Sequence, residues 1–301
     1  MRIGIGLPMA GPAATAEGIV SVARRAEELG YDSLWTWERL VVPLNPQTGY
    51  IGSADGSYPE HFNRVMDPLD ALTFAAAHTN RVRLGTSIIV MGHYHPLTLA
   101  RRVATIDVLS GGRLDLGLGQ GWSKDEHDIM GVAMHDRAQR ADEFLEVMKR
   151  AWTDKVVEFQ GTFFQIPPSI IDLKPIQQPH PPIYLAAYSP GSMTRIATQA
   201  SGWTPVGVPT SAMPQMLQNI KSIAERAGRD PNSIKLVVRG NVHLTEEPLE
   251  ERFPFVGSWD QVMSDVEETR KVGADELILD PQGEAPEEFV SFMERARNAI
   301  G

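Results

Sequence analysis

Short apolar runs alternate with amphipathic stretches almost from end to end of this chain. Residues 3–7 read as a buried strand. Ile19, Val22, Ala23, Ala26 and Leu29 then recur at helical spacing, with Thr15 placed to cap the helix and Gly30 to stop it. Residues 33–36 form a second strand, Asp67-Pro68 opens a helix through His78, and residues 82–87 form a third strand. Pro96 sits in the first turn of the next helix. Residues 114–118 are strand four, followed by a helix through Arg140, Phe144, Val147 and Trp152. Residues 183–187, 203–204, 235–239 and 276–279 supply the remaining strands. Ser258 and Gln261 make a capping-box pattern before a helix carrying Val262, Val266 and Val272, which Gly273 stops, and a last helix runs to Arg297.

Eight strand–helix alternations in 301 residues predict an α/β fold, a (β/α)8 TIM barrel of one domain spanning 1–301. A doubly wound open sheet is the competing arrangement. Long insertions follow strands 2, 4 and 7, at residues 40–66, 153–181 and 241–257. The first is rich in Gly, Pro, Asn and Ser and carries Tyr50, Tyr58, His61 and Phe62; after strand two of a barrel it would lie over the catalytic face as a lid. The second contains an alternating run at 156–165 that reads as a small hairpin.

A net charge of −10 argues against nucleic acid or an anionic membrane as partner. The absence of cysteine excludes disulfides, thiolate metal sites and a cysteine nucleophile. No apolar run approaches the ~20 residues that span a bilayer. Gly4, Gly6, Pro8, Gly11 and Pro12 break up any signal-peptide helix, so a soluble cytoplasmic protein is expected.

The chemistry-bearing candidates are few. Gly117-x-Gly119-x-Gly121 is not a dinucleotide fingerprint, because Trp122 stands where a glycine is required. The glycines either clear room for a planar ring or phosphate or make a tight strand-to-helix turn. His93-x-His95 has no carboxylate set beside it, so no metal site is expected; His127 and His135 read as surface residues. Residues 189–192 read as a turn rather than a nucleophile elbow. Glu38, just past strand two, is the acid/base candidate, an ion pair with Arg39 or another arginine being the alternative. Trp35, Trp37, Trp122, Tyr188 and Trp203 suggest a ring-lined pocket for a flat cofactor or small-molecule substrate, with Trp37 and Trp122 against the substrate.

Residues 107–113 (DVLSGGR) followed by the 117–122 run, residues 29–35 (LGYDSLW), Trp152, the 157–164 run and Lys174-Pro175-x-Gln177 resemble the luciferase-like monooxygenase superfamily, in its actinobacterial branch that uses the deazaflavin coenzyme F420. The resemblance implies a (β/α)8 barrel with the cofactor across the strand C-termini, and a non-proline cis peptide at Ser87-Ile88 supporting the ring. It places further cofactor contacts at Gly119, Gln120 and Gly121, and a phosphate-binding turn at Ala187, Tyr188 and Ser189. Two departures stand out: Ala186-Ala187 where the family often has Gly-Gly, and Ser201-Gly202-Trp203 where it often has Asp-Gly-Trp. The Asp-His pair and glutamate of the F420-dependent glucose-6-phosphate dehydrogenases correspond to Glu38-Arg39 and Trp122, so that sugar oxidation is not expected. The resemblance implies an F420-dependent hydride transfer to or from a small organic substrate, with Glu38 handling the proton. A two-component monooxygenase using reduced FMN is the alternative, and a non-catalytic flavin-binding barrel a further one. It also implies a homodimer, through the second and third helices, and a flavin or F420 reductase as a possible partner.

Overall fold

A computed structural model describes residues 1–53, 55–186, 188–283 and 285–301. Eight parallel strands close into a barrel: β1 (Arg2–Gly6), β2 (Ser33–Thr36), β3 (Arg83–Thr86) continued by β4 (Ile89–Val90), β5 (Leu114–Gly119), β8 (Ile183–Leu185), β9 (Gly202–Trp203), β10 (Lys235–Leu244) and β12 (Glu276–Pro281). Pairing of β9 with β10 closes the ring and excludes the open sheet. Around it lie α1 (Ala16–Glu28), α2 (Pro68–Ala76), α3 (Pro96–Leu109), α4 (Lys124–Ile129), α5 (Arg137–Thr153), α6 (Pro190–Gln199), α7 (Met213–Arg226), α8 (Trp259–Lys271) and α9 (Pro286–Ile300). The hairpin β6 (Val157–Gln160) and β7 (Gln165–Ser169) and the short β11 (Val256–Gly257) lie in the second and third insertions.

The helix signals act as the sequence suggests. Thr15 accepts from the Gly18 amide, Asp67 from those of Leu69 and Asp70, and Ser258 and Gln261 cap α8 reciprocally. Strand alternation sends Ile3, Ile5, Leu34, Leu84, Leu116 and Leu118 outward into the core shared with the helices. The other face fills the barrel in layers. Its middle layer is Trp35, Tyr184, Val237 and Ile278. Gly4 and Gly85 are required there, since a methyl group at either would lie within 2.4 Å of the Ser33 hydroxyl and the Trp35 ring, respectively.

Below that layer, Glu276 pairs with Arg2 at 2.5 Å and accepts from Trp35 Nε1 at 3.0 Å and from the Ser33 hydroxyl. Burial pushes the Glu276 carboxyl above its usual range, against the pull of Arg2. A carboxyl whose folded pKa exceeds its unfolded one binds its proton more tightly in the native state. Its contribution to stability therefore falls as pH rises from the ordinary carboxylate value through the raised one. Replacing Glu276 by Gln should flatten that part of the stability profile, measured as Tm against pH in wild type and variant. An unchanged slope in E276Q would show that other groups set it.

Candidate active site

At the C-terminal ends of the strands the inward positions turn polar. Arg239 on β10 pairs with Asp280 on β12, and its Nη1 donates to the Ser87 carbonyl oxygen across the barrel at 2.5 Å. Its guanidinium lies 5.6 Å from the Trp37 ring centroid. Gly6 makes room for the Asp280 carboxylate, which a Cβ would approach to 1.9 Å. Between β3 and β4 the chain bulges at Ser87 and Ile88, and the peptide joining them is cis. The half-buried Ile88 side chain fills space left by Gly117 and Gly119: a Cβ on Gly119 would fall 2.1 Å from Ile88 Cδ1. The Ser87 hydroxyl is buried and unpaired.

Glu38 holds the segment after the bulge. Its carboxylate accepts from the Val90 amide and the Tyr94 hydroxyl, each at 2.6 Å, and lies 3.3 Å from His93 Nδ1. Burial, then the Glu38 charge, raises the Tyr94 phenol well above its ordinary pKa, so it remains a donor. The alternative, a Glu38–Arg39 pair, does not form: Arg39 pairs with Glu126 on α4 at 3.0 Å, and His93 lies between that carboxylate and Glu38.

The described part of the first insertion covers the mouth. Phe62 packs on Trp37, while Tyr50 and Tyr58 pack on Trp122 with ring centroids 6.0 Å apart. Arg39 lies over Trp122 at 4.7 Å. The short helix α4 fastens this lid. Glu126 accepts from the Leu40 amide at 2.8 Å, and Asp125 accepts from the amides of Gln47 and Thr48. The far end is tied to the loop after β1 by Met66 N to Met9 O at 2.9 Å and Gly11 N to His61 O at 3.2 Å. Burial holds the His61 imidazole below its ordinary pKa.

Several expectations need correction. His127 is 2% exposed, because it turns back under Gly121 to contact the Gln120 carbonyl at 2.9 Å, whereas His135 is a surface residue as expected, in a turn before α5. Residues 189–192 begin α6, with Ser189 and Ser192 in a capping box, because Pro190 suits the first helical turn. Trp35 lies in the barrel interior and Trp203, though it ends β9, is fully buried in the core, so of the five aromatic residues Trp37, Trp122 and Tyr188 remain candidates to line the mouth. His93 and His95 do not converge: the first lies between Glu38 and Glu126, the second caps α3. Among the described residues, no three His, Asp or Glu side chains gather as metal ligands do. None of the described helices is long and apolar enough to cross a membrane.

The family model for the luciferase-like monooxygenases matches residues 1–253. The chain belongs to this family. An uncharacterized protein of Mycobacterium tuberculosis is 35% identical over 212 residues, 69% of this chain and 75% of its own. The structure of monooxygenase RslO1 from Streptomyces bottropensis superposes with a TM-score of 0.82 at 26% identity, covering 100% of this chain and 98% of that one. An F420-dependent secondary alcohol dehydrogenase, solved with an F420–acetone adduct, shares the fold with a TM-score of 0.78 at 16% identity, over 100% and 99% of the two chains.

The luciferase-like resemblance assigned the cofactor to eight positions. Ser87, Ile88, Gly119, Gln120 and Gly121 come together where β3 and β5 end, with Gly121 turning the chain at φ +79°. Tyr188 and Ser189 stand exposed after β8, the Tyr188 amide and Ser189 amide both donating to the Ser192 hydroxyl. Ala187 lies outside the described residues. Arg239, Asp280 and the α4 carboxylates were missed from sequence, and His93 was weighed only as a metal ligand. Arg239 and Asp280 did carry a signal: each is a charge ending an otherwise apolar strand run, on the inward phase.

Proposed function

We propose that this protein is an oxidoreductase that moves a hydride between coenzyme F420 and a small organic substrate. The observation that carries the reading is the Ser87–Ile88 bulge seated on the glycine floor of β5 and facing a mouth roofed by lid aromatics. Ile88 offers an apolar shelf for a flat ring, and the unpaired Ser87 hydroxyl beside it offers a polar contact. Gly121 turns the backbone at the shelf edge against His127 and Val90, and the exposed N-terminus of α6 at Ser189 suits the phosphate of the side chain. Bound there, the deazaflavin supplies the hydride-carrying carbon C5, while the chain supplies placement and exclusion of water. Glu38 and the Tyr94 hydroxyl it holds are the candidate route for a proton, and Trp37 and Trp122 the candidate walls of the substrate site. A reductase that recharges the cofactor, a homodimeric assembly and a cytoplasmic location belong to the same reading.

The full-length likeness to a monooxygenase favours a second reading, in which reduced FMN occupies the same shelf and the substrate is oxygenated. Titration with F420 and, separately, FMN, followed by tryptophan fluorescence, tests both. Trp37 and Trp122 should report ring binding. Binding of F420 at least about tenfold tighter than FMN, a difference of about 1.4 kcal/mol, supports hydride transfer. Tighter FMN binding with oxygen uptake supports the monooxygenase, and binding of neither overturns both.

A further inference from the structure

We infer that Arg239 is a positioning residue that clamps the ring shelf from the opposite side of the barrel, with Asp280 setting the charge it presents there. Its role toward a ring rests on the proposed cofactor site, whereas the contact with Ser87 is independent of any ligand. Ser87 belongs to the bulge between β3 and β4, and Arg239 belongs to β10, on the far side of the barrel. The strand neighbours of Ser87 cannot hold its carbonyl, because the bulge interrupts the ladder between β3 and β4. Arg239 Nη1 supplies the missing donor at 2.5 Å, and Nη2 is simultaneously held by Asp280.

A planar fork suits this position, because one guanidinium serves two acceptors at a fixed angle, which an ammonium cannot do. The arrangement is also built rather than incidental. Arg239 has only 17% of its side chain exposed and Asp280 only 3%, and Gly6 is the residue whose missing side chain admits the Asp280 carboxylate. Trp37 closes over the guanidinium from strand two. A cation hydrogen-bonded to the shelf favours the more electron-rich, two-electron-reduced ring over the oxidised one, and the neighbouring carboxylate opposes it.

Two variants separate clamp from bystander. Arg239→Gln removes the cation and the fork that serves Ser87 and Asp280 together; Asp280→Asn removes only the counter-charge and leaves Arg239 able to reach Ser87. Hydrogen exchange of residues 86–91 in the cofactor-free protein should quicken about tenfold in R239Q, the effect of losing one charge-assisted hydrogen bond, and stay near wild type in D280N. Arg239→Lys, which keeps the charge and donors but loses the planar fork, should recover only part of the protection, and circular dichroism verifies that each variant is folded. With FMN and with F420, each titrated oxidised and reduced, R239Q should shift the affinity ratio about tenfold toward the oxidised form and D280N in the opposite direction.

Unchanged exchange in R239Q overturns the clamp. Affinity ratios that move the same way in both variants overturn the electrostatic part, since a purely structural defect carries no sign. If exchange quickens as expected but the wild-type protein binds neither cofactor, the clamp on Ser87 stands and the cofactor reading is what fails.

Discussion

Gly117→Ala should cost the barrel about 3 kcal/mol or more, the upper range for forcing a methyl group into a filled interior. An ideal Cβ at position 117 lies 1.9 Å from the Thr86 carbonyl oxygen. That oxygen is backbone and cannot swing aside. The two strands are also locked there, since the Thr86 hydroxyl donates to the Gly117 carbonyl at 2.9 Å and accepts from the Gly117 amide at 3.0 Å. Relief therefore requires β3 and β5 to separate just below the bulge. Thermal unfolding should show Tm lower by roughly 5–10 °C. Gly119→Ala is the informative contrast. Its Cβ meets Ile88 Cδ1, the far end of a flexible side chain, so the fold adjusts at small cost while Ile88 is displaced into the mouth. That variant should keep a near-native Tm and lose about tenfold or more in cofactor affinity. A G119A protein that binds cofactor like wild type would remove Ile88 from the site. A G117A protein with an unchanged Tm would contradict the strand contact itself.

The barrel was legible because its two periodicities are strong and its stop signals local. Residues 33–36 were delimited as the structure has them, and Thr15, Asp67 and the Ser258–Gln261 pair cap the helices assigned to them. The motifs that carry the family resemblance proved to be largely scaffold. Gln177 donates to the buried Asp107 carboxylate and to the Leu114 carbonyl, Arg113 caps the end of α2 through the carbonyls of Ala76 and Thr79, and Lys174 caps α5 through those of Ala151 and Asp154. Such residues identify a fold sharply and its chemistry only indirectly. The site was legible where backbone demands special residues, at Gly119, Gly121 and the bulge. It was illegible where function depends on pairs far apart in sequence. Glu38 and Arg39 are adjacent in the chain yet take different partners, Val90 and Tyr94 for the one and Glu126 for the other, each supplied by a segment distant in sequence. Arg239 finds Ser87 across 152 positions, and no local pattern encodes that distance. His127 failed for a related reason: helical polarity in α4 suggested a solvated face, but the acidic residues around it are consumed by the lid.

Glu126→Ala should release that lid. Glu126 is 4% exposed and pairs with Arg39, whose side chain is 7% exposed, while also accepting from the Leu40 amide. Deleting one partner of a buried pair and leaving the other charge in place costs about 3–5 kcal/mol. Arg39 has an escape that a core residue lacks, because it sits at the root of a surface insertion and can carry its charge into water by opening the segment. The cost is then limited to that of undoing the lid contacts at Trp122, Gln47 and Thr48, so the global Tm should fall by less than the full penalty implies. The local consequence is a large one. Once Arg39 is exposed, the Arg39–Leu40 bond becomes a trypsin site, and cleavage there should accelerate by about tenfold or more relative to wild type. Glu126→Gln, which keeps an acceptor for the Leu40 amide, should fall between the two. Pairing it with Arg39→Met removes both charges together, and that double variant, which no longer offers a trypsin site at position 39, should resist heat better than E126A because no lone ion is left buried. Cleavage at Arg39 that is equally slow in E126A and wild type would mean that the Asp125 hydrogen bonds and the aromatic contacts hold the lid shut without Glu126, and would move the search for its opening to Asp125, Tyr50, Tyr58 and Trp122.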